Sequence, residues 1–228
     1  MDVKALEARL VAAFAHGVPG VDAQLRMAPH PWVGWDPYRY PEGLRDGAAL
    51  VLVYPHAATA DAEPEPHVLL TVRGSKLRSH TGQVSFPGGG VDPNESFETA
   101  ALREASEEVG VIPGAVRVLG RLTPLHIPVS GYLLHPVVGV VDVRPEFRIA
   151  EWEVARLLEV SLARFDNPAI VRHEMRRRDH LGQSFELNWP YFSIDGEKVW
   201  GATAMALAEF LAMISPSSLQ RSHDDDTG

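Results

Sequence analysis

The stretch that most limits what this chain can fold into runs from Gly88 to Val111, GGGVDPNESFETAALREASEEVGV. Its glycines permit a close backbone turn, Asn94 is a helix-capping residue type and Gly110 a stop. The segment therefore predicts a loop, a helix from Asn94 to about Val109, and a break. At about 100° per residue, Glu104, Glu107 and Glu108 share one arc of that helix, beside an apolar seam of Ala101, Leu102, Ala105 and Val109. The seam asks for a partner surface. The carboxylate arc is costly, because Glu104 and Glu108 repel at i,i+4 by a few tenths of a kcal/mol, and Glu107 and Glu108 sit where the helix macrodipole disfavours anions. A Glu-rich helix face is ordinarily just solvated, but two penalties on one stripe ask for a compensating cation.

Cysteine is absent from the 228 residues, which excludes disulfides, thiolate metal sites and a cysteine nucleophile. Oxygen ligands without Cys or paired His favour a hard ion, Mg²⁺ or Mn²⁺, that retains water and bridges phosphates. The net charge of −9 argues against a nucleic-acid backbone as partner. That acidity is local: Asp92–Glu108 carries −5, Asp61–Glu65 −3 and Asp224–Asp226 −3, which leaves +2 for everything else. A phosphorylated small molecule stays compatible with such a body.

Along the chain, apolar spacing predicts an amphipathic helix over 3–15, then a Pro-, Trp- and Gly-rich arm over 19–46. Apolar runs at Ala48–Tyr54 and His67–Arg73, separated by a proline-containing acidic loop, read as a β-hairpin. Further strands are expected at Val116–Thr123, Leu133–Val143 and Phe185–Ile194, and helices at Glu151–Arg164 and Ala202–Ile214. The polar tail 215–228 reads as disordered. The organisation expected is an N-terminal helix and arm (1–46) packed on one domain (47–214), with the tail beyond. The irregular alternation suggests α+β or a mixed sheet between helices. The N-terminus MDVKALEARLVAAF lacks a signal peptide's apolar run and no stretch is long enough to span a membrane, so a cytoplasmic chain is expected. The 19–46 arm leaves a homodimer open.

Gly89, Glu95, Arg103, Glu104, Glu107, Glu108, Gly110 and the apolar Val111 match G-x5-E-x7-R-E-U-x-E-E-x-G-U at every fixed position, with Ala105 at the first variable apolar site. This resembles the Nudix box. The resemblance implies an α/β/α sandwich with a mixed sheet, and metal-dependent hydrolysis of a nucleoside diphosphate linked to another moiety. It also implies Glu104 and Glu108, then Glu107, as metal ligands. Arg103, within the catalytic stretch, is expected to pair with Glu95, and Gly89, Glu95 and Gly110 to be structural. The general base is Glu104 or, downstream, Glu151 or Glu153, although acids in a helix's first turn are also ordinary.

Upstream, LLTVRGSKLRSHTGQVSFPGG (Leu69–Gly89) resembles the signature of the coenzyme A pyrophosphatases within that superfamily, L-L-T-x-R-[SA]-x3-R-x3-G-x3-F-P-G-G. Gly74 departs where Ser or Ala is usual. WGATA at Trp200–Ala204 is similar to that family's C-terminal segment. Arg73, Lys76, Arg78 and His80 form a cationic cluster before the acidic box, and with Gly88 and Gly89 they are the expected substrate contacts. The alternative reading of Arg73 and Arg78 is a charged strand edge, and Arg172, Arg176, Arg177 and Arg178 read as a solvated loop. The resemblance implies coenzyme A as substrate, cleaved to 4′-phosphopantetheine and adenosine 3′,5′-bisphosphate. Alternatives are another Nudix substrate (ADP-ribose, NADH or a dinucleotide) and a non-catalytic nucleotide sensor, which the intact REASEE stretch disfavours.

Overall fold

The run Ala48–Tyr54 has no polar alternation, the pattern of a strand covered on both faces, and it lies at the centre of the molecule. In chain order the computed structural model contains α1 (Val3–His16), α2 (Val21–Gln24), β1 (Arg45–His56), β2 (Glu65–Arg73), β3 (Val84–Ser85), β4 (Gly88–Gly90) and α3 (Phe97–Val109). After these come β5 (Arg117–Arg121), β6 (Leu125–Ile127), β7 (Tyr132–Val140), β8 (Val154–Ser161), β9 (Val171–His180), β10 (Gln183–Ile194), β11 (Glu197–Val199) and α4 (Gly201–Ile214). It describes residues 1–57, 59, 61–74 and 83–214. Lys76, Arg78, His80 and the tail 215–228, expected to be disordered, lie outside the described residues.

The main sheet has the order β3-β2-β1-β7-β5, with β4 on β1, β6 on β7 and β8 on β2. β1 runs parallel to β7 and antiparallel to β2 and β4, so the sheet is mixed. Alternate residues of β1 feed two cores. Ala48, Leu50, Leu52 and Tyr54 meet Ala100, Ala101, Ala105 and Val109 of α3 on one face. Ala49, Val51 and Val53 join Leu6 and Leu10 of α1 and Leu207, Phe210 and Leu211 of α4 on the other. The result is an α/β/α sandwich. β9, β10 and β11 form a separate three-stranded antiparallel sheet. No helix among the described residues is long and apolar enough to cross a membrane.

The expected β1–β2 hairpin forms, with Val53 opposite Val68 and His56 opposite Glu65. Four expectations need correction. The helix of the box is capped by Ser96, whose Oγ accepts the Thr99 N–H at 3.1 Å, and not by Asn94, which takes a left-handed φ of 66° in the preceding turn. Glu151–Arg164 is not a helix: residues 151–153 turn, Val154–Ser161 pairs along β2, and a 3₁₀ segment covers Leu162–Asp166. Its Ala, Arg, Leu and Glu content favours a helix locally, but the free edge of β2 offers a ladder, and tertiary pairing overrides propensity. The arginine cluster is strand β9, not a loop; Arg176 and Arg178 turn inward while Arg177 is exposed. Finally, the arm 19–46 contains α2 and a 3₁₀ turn at Leu25–Met27, and β1 already begins at Arg45.

The arm is held by the buried side chain of Glu209. Glu209 of α4 is fully buried and accepts hydrogen bonds from the Gly20 N–H (3.0 Å), Gln24 Nε2 (2.7 Å) and the Thr123 hydroxyl (2.7 Å) and N–H (3.2 Å). A buried carboxylate persists only where donors replace its hydration.

Candidate active site

β4 brings glycine backbone against β1 and α3. A Cβ on Gly88 would lie 2.4 Å from the Ala48 carbonyl oxygen, and one on Gly89 would lie 2.5 Å from the Glu104 carboxyl. Backbone blocks a side chain at Gly88, and at Gly89 a side chain would displace the Glu104 carboxyl, so close approach explains these glycines. Gly110 is different: it ends α3 in the left-handed region at φ 75°, its N–H returning to Ser106.

Arg103 organises the next layer. Its Nε and Nη2 donate to the two Glu95 carboxylate oxygens at 2.9 and 3.0 Å, Nη2 also reaches the Gly90 carbonyl at 2.9 Å, and Nη1 donates to Glu104 at 2.8 Å. The paired guanidinium holds the Glu95 carboxyl below its usual range. One side chain thus ties the glycine turn, the loop and the first helix carboxylate. Glu107 lies 3.5 Å from the same guanidinium, its side chain 60% exposed.

Glu104, though held by Arg103, is partly buried, and Glu108 is buried. Burial pushes the Glu104 carboxyl up, against the pull of Arg103. Burial and then the Glu153 charge push Glu108 up to about 8, while Arg73 and a Gly88 N–H bond pull it down. Glu153 reaches this point because the chain after β7 caps α3: the Arg148 and Ala150 N–H groups donate to the Val109 and Glu108 carbonyls at 2.9 and 2.8 Å. The turn then bonds Gly74 N–H to the Glu153 carbonyl at 2.7 Å.

These groups open on a cavity of about 940 Å³ lined by Arg73, Gly88, Gly89, Gly90, Glu104, Glu108 and Glu153. The structure brings these sequence-derived candidates together. It does not bring Glu107 or Glu151 to the cavity wall; Glu151 is exposed at the turn, and Arg78 and His80 fall outside the described residues. Among the described residues no three His, Asp or Glu side chains already surround one ion position. The fit to a hard cation rests on the donor chemistry: Glu104 and Glu108 are oxygen donors made more basic by burial, with a third carboxylate beside them and Arg103 engaged by Glu95. Mg²⁺ and Mn²⁺ take such ligands.

Sequence reasoning missed part of the lining. Trp35, His126, Arg178, Trp189 and Trp200 also wall the cavity, and burial holds the His126 imidazole below its usual pKa. The tryptophan-bearing arm and the WGATA segment were the available signals; nothing local linked them to the acidic helix.

A family model described as the NUDIX domain matches residues 45–175. A Nudix hydrolase called NudL from Yersinia pestis (strain Pestoides F), itself described as uncharacterized, is 38% identical over 159 residues, covering 67% of this chain and 74% of that protein. Among solved structures, the Nudix hydrolase RenU from M. smegmatis is 23% identical, with a TM-score of 0.44 over 55% of this chain and 73% of its own. The NUDIX domain of Shewanella oneidensis NrtR, solved with ADP ribose, is 20% identical, with a TM-score of 0.42 over 57% of this chain and 80% of its own.

Proposed function

The chain belongs to the Nudix hydrolase family, and on that premise we propose that it hydrolyses the diphosphate bond of coenzyme A and its derivatives, releasing 4′-phosphopantetheine and adenosine 3′,5′-bisphosphate. The observation that carries the hydrolytic reading is the convergence of Glu104, Glu108 and Glu153 on one cavity with Arg73 and the glycine backbone of β4. The coenzyme A reading is supported by the Leu69–Gly89 sequence, whose Arg73 belongs to that lining.

Glu104 and Glu108 would hold Mg²⁺ or Mn²⁺, with Glu107 a third candidate on turning away from Arg103. When bound, the cation offsets diphosphate charge and lowers the pKa of water. Arg103 fixes Glu104 and so acts as a positioning residue. Arg73 and the Gly88–Gly90 backbone orient the diphosphate. Glu153 accepts a proton from the attacking water as its oxygen bonds to one phosphorus and the bridging P–O bond breaks, the electron pair leaving with the second phosphate. Glu153 suits this role better than Glu151, because it alone of the two faces the cavity, and better than Glu104, whose carboxylate is engaged by Arg103.

Measuring product release from coenzyme A, its dephospho form and ADP-ribose with Mg²⁺ tests the substrate assignment. Coenzyme A should have the highest kcat/KM. Much faster turnover of ADP-ribose would overturn the specific reading while leaving the hydrolase in place.

A further inference from the structure

Among the described residues, three arginines line the cavity: Arg45, Arg73 and Arg178. Arg45 donates to the Ser130 carbonyl at 3.0 Å and lies over the Tyr132 ring, 4.3 Å from its centroid. Arg73 is close enough to Glu108 to draw its carboxyl down, and the proposed reaction gives it the diphosphate. Arg178 has no such employment.

It is the last of three consecutive arginines on β9, which the strand's period of two sends to different surroundings. Arg177 is exposed, 3.5 Å from the Asp179 carboxylate. Arg176 pairs with Glu174, and its guanidinium lies 4.9 Å from both the Trp189 and Trp200 rings. That packing holds β9 against the aromatic wall. Arg178, about 7 Å further along the strand, shares the face of Arg176 and is partly buried. It makes no ion pair or hydrogen bond through its side chain among the described residues.

The guanidinium is nonetheless open to a ligand. The side-chain atoms that are both sealed from solvent and unpartnered belong to Trp35, Arg73, His126, Ser161 and Trp189, and none belongs to Arg178. A guanidinium cannot shed its proton, so a partly desolvated one without a counter-charge is relieved only by an anion. Its planar fork matches two oxygens of a phosphate, and a phosphomonoester brings a charge of about −2 near neutral pH. Arg178 stands on the second sheet, whereas the glycine backbone and Arg73 assigned to the diphosphate belong to the first.

We propose that Arg178 is a specificity-determining residue that binds a phosphomonoester carried by the substrate apart from the cleaved diphosphate. The proposal rests on the coenzyme A reading, in which the 3′-phosphate of the adenosine half is that group.

Arg178→Gln keeps a polar side chain of similar reach and removes the charge. It should lower kcat/KM for coenzyme A by about tenfold or more, through KM, while dephospho-coenzyme A changes less than about twofold. Equal losses on the two substrates would overturn the assignment. A second measurement is independent of turnover: calorimetric titration of adenosine 3′,5′-bisphosphate and of adenosine 5′-monophosphate, which differ only in the 3′-phosphate, into both proteins with Mg²⁺ present. The wild type should bind the bisphosphate about tenfold or more tighter than the monophosphate, and Arg178→Gln should bind the two alike. Equal affinities in the wild type, or a preference that survives in Arg178→Gln, would overturn it. Failure of the wild type to cleave coenzyme A would refute the coenzyme A reading alone, and the bisphosphate titration would still decide the role of Arg178.

Discussion

The two walls of the cavity are built by opposite strategies. The carboxylate wall comes mostly from one short segment: β4, the turn after it and α3 place Gly88, Gly89, Glu104 and Glu108 within a single loop and helix. The aromatic wall is assembled from the arm, β9–β10 and the start of α4, which meet only in the folded chain. The first wall is crowded with like charge and depends on Arg103 for its shape. The second is aromatic, with Arg178 of β9 beside the rings, and is set by ring packing. In the proposed reaction the first wall would serve the diphosphate that every candidate substrate shares.

Breaking the carboxylate wall should have the largest effect. Glu104→Gln and Glu108→Gln should each reduce turnover of any diphosphate substrate by about 10²-fold or more, and chelation of divalent metal should abolish it. Initial rates with and without excess Mg²⁺, alongside a far-ultraviolet circular dichroism spectrum, separate lost chemistry from lost fold. Wild-type rates in both variants would remove the metal assignment.

A second contrast lies within the turn between β7 and β8. Glu153→Gln should lower kcat by roughly 10²-fold, and Glu151→Gln by less than about twofold, because only the former side chain meets the cavity. Similar kcat values for the two variants would relocate the base to α3.

The smallest effect concerns stability without metal. The folded pKa of Glu108, about 8, lies above its ordinary value of 4.5. The bound proton therefore stabilises the folded state; that contribution is complete below about 4.5 and is lost as pH rises through about 8. Metal-free protein should weaken across this window. Glu108→Gln should flatten the slope and, near pH 8, raise stability by about 1–3 kcal/mol. Denaturant melts at several pH values in chelator check this, and a slope unchanged by the substitution would refute it.

Much of the carboxylate wall was legible because its determinants are local. Glycine spacing, the apolar seam of Ala101, Ala105 and Val109, and the i,i+4 acids all act within about a helix length. The sheet's central strand and hairpin were legible for the same reason. β8 was not, since Val154–Ser161 carries helix-forming residues and becomes a strand only because β2 offers it an edge. β9 looked like a solvated arginine run because its period of two is carried by charges: Glu174, Arg176 and Arg178 face inward and Met175 and Arg177 outward. Trp35 and Trp189 gave no local sign of a shared cavity, because sequence does not report contacts made by chain ends folding back.

That folding back gives Glu209 a consequence for the limits of the molecule. Removing residues 1–44, so that the chain starts where the family match starts, would strip Gly20 and Gln24 from a fully buried carboxylate, leaving it only Thr123 among its described donors. Leaving a buried polar group short of donors costs about 1–3 kcal/mol, a sizeable fraction of a typical domain's stability. A chain starting at residue 45 should therefore be less stable than the full chain, a loss that a comparison of their thermal melts would measure, and the start of the family match is then a seam in sequence similarity rather than a joint in the fold.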